Sequence, residues 1–115
     1  MTPRLFHYTC GHGRSRLGAA GRLEPNGYPR LVWLTDMDTP DRVALGLTSA
    51  FLECDRLAHR YVVRPSDAIV HWPGSAVAEA MDPTLRAELE QDRQPEHWWV
   101  SPVSLRATID LRYRP

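Results

Sequence analysis

The chain contains no lysine, so all fourteen of its basic residues are arginine. With ten prolines and abundant alanine, this points to a GC-rich coding genome more than to a chemical demand. Fourteen acidic residues bring the formal net charge to zero. Non-specific binding along a nucleic-acid duplex through its phosphates calls for a strongly basic balance, and it is not expected here. Cysteine is scarce: Cys10 and Cys54 are too few for a disulfide framework. No run approaches the roughly 18 apolar residues of a membrane span. The opening Met1-Thr2-Pro3-Arg4 has no apolar h-region, so a cytoplasmic protein without membrane association is expected. Internal repeats and low-complexity linkers are also missing.

What is present is ordinary for a globular chain. Its 115 residues lie near the modal size of one domain, so residues 1–115 are read as a single unit. A hydrophobic fraction of 43% with 24% charged residues is too apolar for a disordered segment. Leu5-Phe6-His7-Tyr8-Thr9 and Leu31-Val32-Trp33-Leu34-Thr35-Asp36 read as strands, separated by a short helix and a tight turn. Together they are expected to present a His, a hydroxyl and an aromatic face to one cleft. Residues 37–42 form a Pro-containing turn in which Thr39 caps a short helix from near Pro40. Residues 44–55 fit either a frayed helix or a packed loop.

Residues 60–64 and 68–72 are dense in β-branched and aromatic types and are broken by Pro65-Ser66-Asp67, so both are expected strands. Residues 75–92 are rich in helix formers, divided at Asp82-Pro83 with Asp82 as an N-cap. Leu85 and Leu89 give the second helix one narrow apolar face. Residues 97–101 and 103–113 read as strands. The latter alternates Leu105, Ala107, Ile109, Leu111 and Tyr113 with polar residues, and a regular strand turns Trp98 and Trp99 to opposite sides. The fold class is α+β: about six short strands in a split, mostly antiparallel sheet, with few short helices and no βαβ regularity.

Three groups of residues carry chemistry. His7, Cys10, His12, Cys54 and His59 supply nitrogen and sulfur ligands, and zinc takes such ligands in sets of four. The usual pair of cysteines two to four residues apart is missing, however, and buried free Cys with unrelated histidines is the alternative. No metal is expected. Arg14, Arg16 and Arg22 either steer a strand or nucleotide phosphate or form a solvated helix face. His7 is either a ligand contact or a hydrogen-bonded strand histidine.

Phe6-His7-Tyr8-Thr9, the following amphipathic segment, Gly21-Arg22-Leu23-Glu24-Pro25 and Val32-Trp33-Leu34-Thr35 resemble the opening of the ADP-ribosyltransferase superfamily. Within it the chain looks nearest to the DNA-modifying toxins and the tRNA 2′-phosphotransferases, both of which use NAD. The similarity covers residues 4–36. Arg60-Tyr61-Val62 fits as a middle strand, and Glu96-His97-Trp98-Trp99-Val100 fits as a late strand that begins with the catalytic acid.

The resemblance implies NAD as co-substrate, cleavage of its nicotinamide glycosidic bond, and transfer of ADP-ribose to a nucleic-acid, protein or small-molecule acceptor. His7 would bond the adenine-side ribose, with Tyr8 and Thr9 backing its strand. Residues 31–35, Thr35 among them, would line the nicotinamide pocket, with Trp33 or Tyr28 stacking on the ring. Arg60 or Arg14 would hold the pyrophosphate. Glu96 would bond the nicotinamide-ribose 2′-hydroxyl and stabilise the developing oxocarbenium ion, Glu53 and Asp36 being the other candidate acids. The chain is short for the superfamily and leaves little room for a separate substrate-recognition loop. A non-catalytic nucleotide-binding or protein-interaction domain on the same fold and a small zinc-binding module are the alternatives.

Overall fold

A computed structural model of the chain describes residues 3–9, 21–27, 29–41, 45 and 57–114. Among the described residues the β-branched and aromatic segments form seven strands: β1 Phe6–Thr9, β2 Arg22–Leu23, β3 Val32–Thr35, β4 His59–Val63, β5 Val70–His71, β6 Trp98–Ser101 and β7 Leu105–Ile109. They make one sheet in the order β2-β7-β4-β1-β3-β6-β5, and every pairing is antiparallel. The α+β class agrees with expectation. One more strand is present than expected, because the two-residue β2 has no pattern of its own to betray it.

Other boundaries shift for local reasons. The strand expected over 68–72 shrinks to the exposed edge pair Val70–His71, since Ala68 is drawn into a turn by the Ser66 hydroxyl, which accepts its N–H at 3.2 Å. The last strand stops at Ile109, and Leu111, 74% exposed, continues none of its alternation. The helix expected between β1 and β2 lies outside the described residues, as does most of the segment from Pro40 through the frayed helix or packed loop expected over 44–55. Of that segment Pro40, Asp41 and Leu45 are described, with Leu45 N–H donating to the Asp41 carbonyl at 3.1 Å.

Two helices follow β5: α1, Ala76–Ala80, and α2, Pro83–Glu90. Ser75 caps the first by accepting from Ala78 N–H at 3.1 Å, and its hydroxyl donates to the Trp72 carbonyl at 2.8 Å. Asp82 caps the second through Leu85 N–H at 3.0 Å, with Pro83 opening the first turn as the sequence implied. Of its two leucines, Leu89 packs inward while Leu85 is exposed. Among the described residues no helix is long and apolar enough to cross a membrane.

The sheet curls. Beyond β2, Asn26 and Leu31 exchange backbone hydrogen bonds at 3.3 and 3.2 Å, so the chain leaving β2 returns to the head of β3. The inner face collects Leu5, Leu23, Val32, Leu34, Tyr61, Val63, Leu105 and Ala107, all buried. The outer face carries one cluster under the helices, with Leu31, Trp72, Ala78, Trp98 and Val100, and a second around Phe6, Tyr8 and Leu57. Trp98 and Trp99 diverge as alternation requires, the first to the outer cluster and the second against the inner one.

The outer face is also crossed by an ion-pair network centred on Arg60 of β4. Its Nε and Nη2 donate to Asp110 Oδ2 at 3.0 and 2.6 Å, and its Nη1 donates to Asp38 Oδ1 at 2.7 Å. The guanidinium lies 4.5 Å from the Phe6 ring centroid and 4.9 Å from that of Tyr113. Burial works against its charge, but hydrogen bonds with Tyr8, Asp110 and Asp38 outweigh burial and hold it above the ordinary arginine range. The same Arg60 hydrogen bond pulls Asp110 below the usual carboxylate range.

Removing Arg60 takes the ion-pair partner from the Asp110 carboxylate, which is only 11% exposed and keeps, among the described residues, only the Arg112 N–H on Oδ1 at 3.0 Å. Arg60→Ala is therefore expected to lower the melting temperature by roughly 10 °C, with Arg60→Lys restoring only part because an ammonium lacks the planar fork. The double change Arg60→Met with Asp110→Leu should recover most of the loss. Thermal unfolding followed by circular dichroism checks this, and an Arg60→Ala protein melting with wild type would refute it.

Candidate functional site

Alternation along β1 decides which residues share a face. His7 is the register partner of Tyr61, and Tyr61 belongs to the inner core, so His7 and Thr9 point inward while Phe6 and Tyr8 point outward. β1 and β3 share one register pair, Phe6↔Thr35, against four between β1 and β4. Where backbone pairing lapses, the His7 ring takes over: Nδ1 lies 2.8 Å from the Trp33 carbonyl oxygen. A carbonyl only accepts, so Nδ1 carries the proton. Burial pushes this imidazole below its ordinary value, although the Trp33 bond acts in the opposite sense. The ring is thus neutral at pH 7, with Nε2 as a lone-pair acceptor.

A second cluster forms at the end of β3. Asp36, the first residue past that strand, accepts from His97 Nδ1 at 2.7 Å through Oδ1 and from the Trp99 indole N–H at 3.1 Å through Oδ2. Its own N–H donates to the His97 carbonyl at 3.4 Å. A carboxylate that holds Nδ1–H leaves Nε2 of the imidazole directed elsewhere, the arrangement a general base requires. His71 of β5 packs against Trp99 with ring centroids 4.5 Å apart and planes tilted by 32°, and its Nε2–H donates to the Glu96 carbonyl at 2.7 Å.

The local sequence explains how Glu96 and His97 are set. Pro95 opens a single 3₁₀ turn, Pro95–His97, immediately before β6. That turn leaves Glu96 exposed and its carboxylate without a hydrogen bond among the described residues, while His97 turns back onto Asp36.

The residues expected to share one cleft are divided between the two faces. His7 and Thr9 lie inside, and Trp99, packed against the inner core, is the tryptophan on their side. Tyr8, Trp33, Thr35 and Arg60 lie outside. Tyr8 donates to the Met37 carbonyl at 2.8 Å, and buried Thr35 accepts from Met37 N–H at 3.1 Å through Oγ1. The Trp33 ring packs 5.0 Å from that of Trp72 and 5.7 Å from that of Trp98. Arg60 is held between its two carboxylates. Tyr28, Arg14, Arg16, Glu53, Cys10, His12 and Cys54 lie outside the described residues. Among the described residues, no group of three or more His, Cys, Asp or Glu is placed to hold a metal.

Sequence reasoning named Asp36 only as a spare acid and gave His71 and His97 no role. Asp36 and His97 stand 61 positions apart, and only the pairing of β3 with β6 brings them together. Comparison of the chain with family models, curated proteins and solved structures found no match.

The state of His7 is testable through stability. Because its folded value lies below the ordinary 6.5, the unfolded chain binds the extra proton first as pH falls. Stability is therefore expected to drop as pH is lowered through 6.5 and to level off below the folded value. His7→Asn, whose amide can still donate to the Trp33 carbonyl, should lose that part of the slope. Urea unfolding of both proteins across this range checks it, and superimposable pH profiles would contradict a buried neutral imidazole.

Proposed function

We propose that the chain is an NAD-dependent ADP-ribosyltransferase-like protein whose ligand lies on the inner face, between His7 on β1 and the Glu96–His97–Trp99 corner of β6. The observation that carries this reading is the fixed neutral imidazole of His7, with Nδ1–H committed to the Trp33 carbonyl. Its Nε2 is an acceptor held in one orientation, and a ribose hydroxyl is the donor that complements it. Trp99 and His71 add a packed aromatic pair on the same face, which offers apolar ring surface to a flat group.

The chemistry follows from charge. As the nicotinamide C–N bond breaks, its electron pair goes to the pyridinium nitrogen, which leaves as neutral nicotinamide, and positive charge develops on the ribose. Glu96, exposed and without a partner among the described residues, is the carboxylate that stabilises this cation as it forms. An acceptor hydroxyl or amine then attacks the ribose carbon, and its proton passes to His97 Nε2, the nitrogen that Asp36 does not hold. Tyr8, Thr35 and Arg60 serve this scheme from the outer face, by fixing the segment that presents Asp36.

Calorimetry and a nicotinamide-release assay on the same preparations test the scheme. Wild type should bind NAD, and His7→Ala should weaken binding by about 1–3 kcal/mol, the scale of one lost polar contact. Glu96→Gln should bind NAD as wild type does and release nicotinamide on the order of 100-fold more slowly. Wild-type turnover by Glu96→Gln would move the acid elsewhere. NAD binding with no release from wild type would make the chain a nucleotide-binding domain instead.

A further inference from the structure

At the opposite edge of the sheet, β2 and β7 set two arginines directly across from each other: Arg22 and Arg106 are register partners. Each alternates with inner-core residues, Leu23 on one strand and Leu105 and Ala107 on the other, so both guanidiniums emerge on the outer face, and both residues are exposed. Like charges directly opposite in an antiparallel pair repel and destabilise it. A third arginine, Arg64, follows β4, and its backbone N–H donates to the Arg106 carbonyl at 2.9 Å. The three arginines, with Ser66 and Ser104, line an open groove of about 230 Å³.

Arg60 and Arg86 each meet two carboxylates. Arg22, Arg64 and Arg106 meet none among the described residues. Arg22 Nη1 instead donates to Ser104 Oγ at 3.3 Å, which orients its guanidinium beside a hydroxyl facing the groove. Three cations and two hydroxyls lining one groove, with no counter-ion among the described residues, offer a site for an anion.

We propose that this groove binds the phosphate group of a phosphorylated ligand. A planar carboxylate is satisfied by a single guanidinium fork, whereas a tetrahedral phosphate offers oxygens to several donors at once and matches a site with three. The bound anion also removes the repulsion between Arg22 and Arg106, so binding and strand pairing reinforce each other. The groove lies on the outer face at β2 and β7, apart from His7 and Trp99, and does not rest on the NAD reading.

The test uses the full chain at low ionic strength, titrated separately with inorganic phosphate, with a short single-stranded DNA oligonucleotide, and with acetate as the planar control. Phosphate should bind and raise the melting temperature, and Arg22→Gln and Arg106→Gln should each weaken it about tenfold, the loss expected for one charge-assisted contact. Without phosphate, Arg106→Gln should melt no lower than wild type, because the like-charge pair is gone. An oligonucleotide that binds at least tenfold more tightly than phosphate, and weakens as salt rises, assigns the phosphate to a strand. Equal affinities assign it to a small phosphorylated molecule. The proposal is overturned if neither ligand binds, if both variants bind phosphate as wild type does, or if acetate binds equally well.

Discussion

The hydrogen bond from His7 to the Trp33 carbonyl sits where the sheet is weakest. The strand order falls into two halves, β2-β7-β4-β1 and β3-β6-β5, that meet at β1 and β3 through a single register pair. On the inner face the imidazole spans that junction. On the outer face Tyr8 reaches the Met37 carbonyl and Arg60 reaches Asp38, so the second half is held to the first from both sides. The Asn26–Leu31 bridge, which curls β2 back toward β3, adds a further tie. A junction made by side chains rather than by a continuous backbone ladder makes its geometry depend on a few polar contacts.

Residues 35–38 are where those contacts converge. Thr35 Oγ1 accepts the Met37 N–H and fixes the turn out of β3. Asp36 then faces inward to His97 and Trp99, while Asp38 faces outward to Arg60. Neighbouring acids along four residues therefore serve opposite faces, one orienting a candidate base and the other bracing the fold. Tyr8 links the two roles: burial raises its phenol above the ordinary value against the opposing pull of Arg60, so it stays a neutral donor to the Met37 carbonyl.

Several elements were legible in the sequence because one physical rule governed each. The alternation of β7 and the opposed tryptophans follow from the period of a strand, and the division at Asp82-Pro83 follows from capping chemistry. The site was harder, since it depends on register between distant strands. His7 and Trp33 look like partners in sequence, yet alternation on paired strands sends one ring inward and the other outward. Arg60 has the chemistry of a pyrophosphate ligand, but Asp38 and Asp110, 22 and 50 residues away, occupy it. No local pattern records such long-range pairings.

The central claim is that nucleotide binding belongs to the inner face beside His7. The most direct measurement is an NMR titration with NAD that follows the four tryptophan indole N–H resonances and the His7 ring nitrogens. The account predicts that Trp99 and His7 Nε2 shift with saturation while Trp72, fully buried under α2 with its indole N–H held by Glu90 at 2.7 Å, stays in place. Saturable shifts confined to Trp33, Trp72 and Trp98, with Trp99 and His7 unmoved, would put the ligand on the outer face and contradict it.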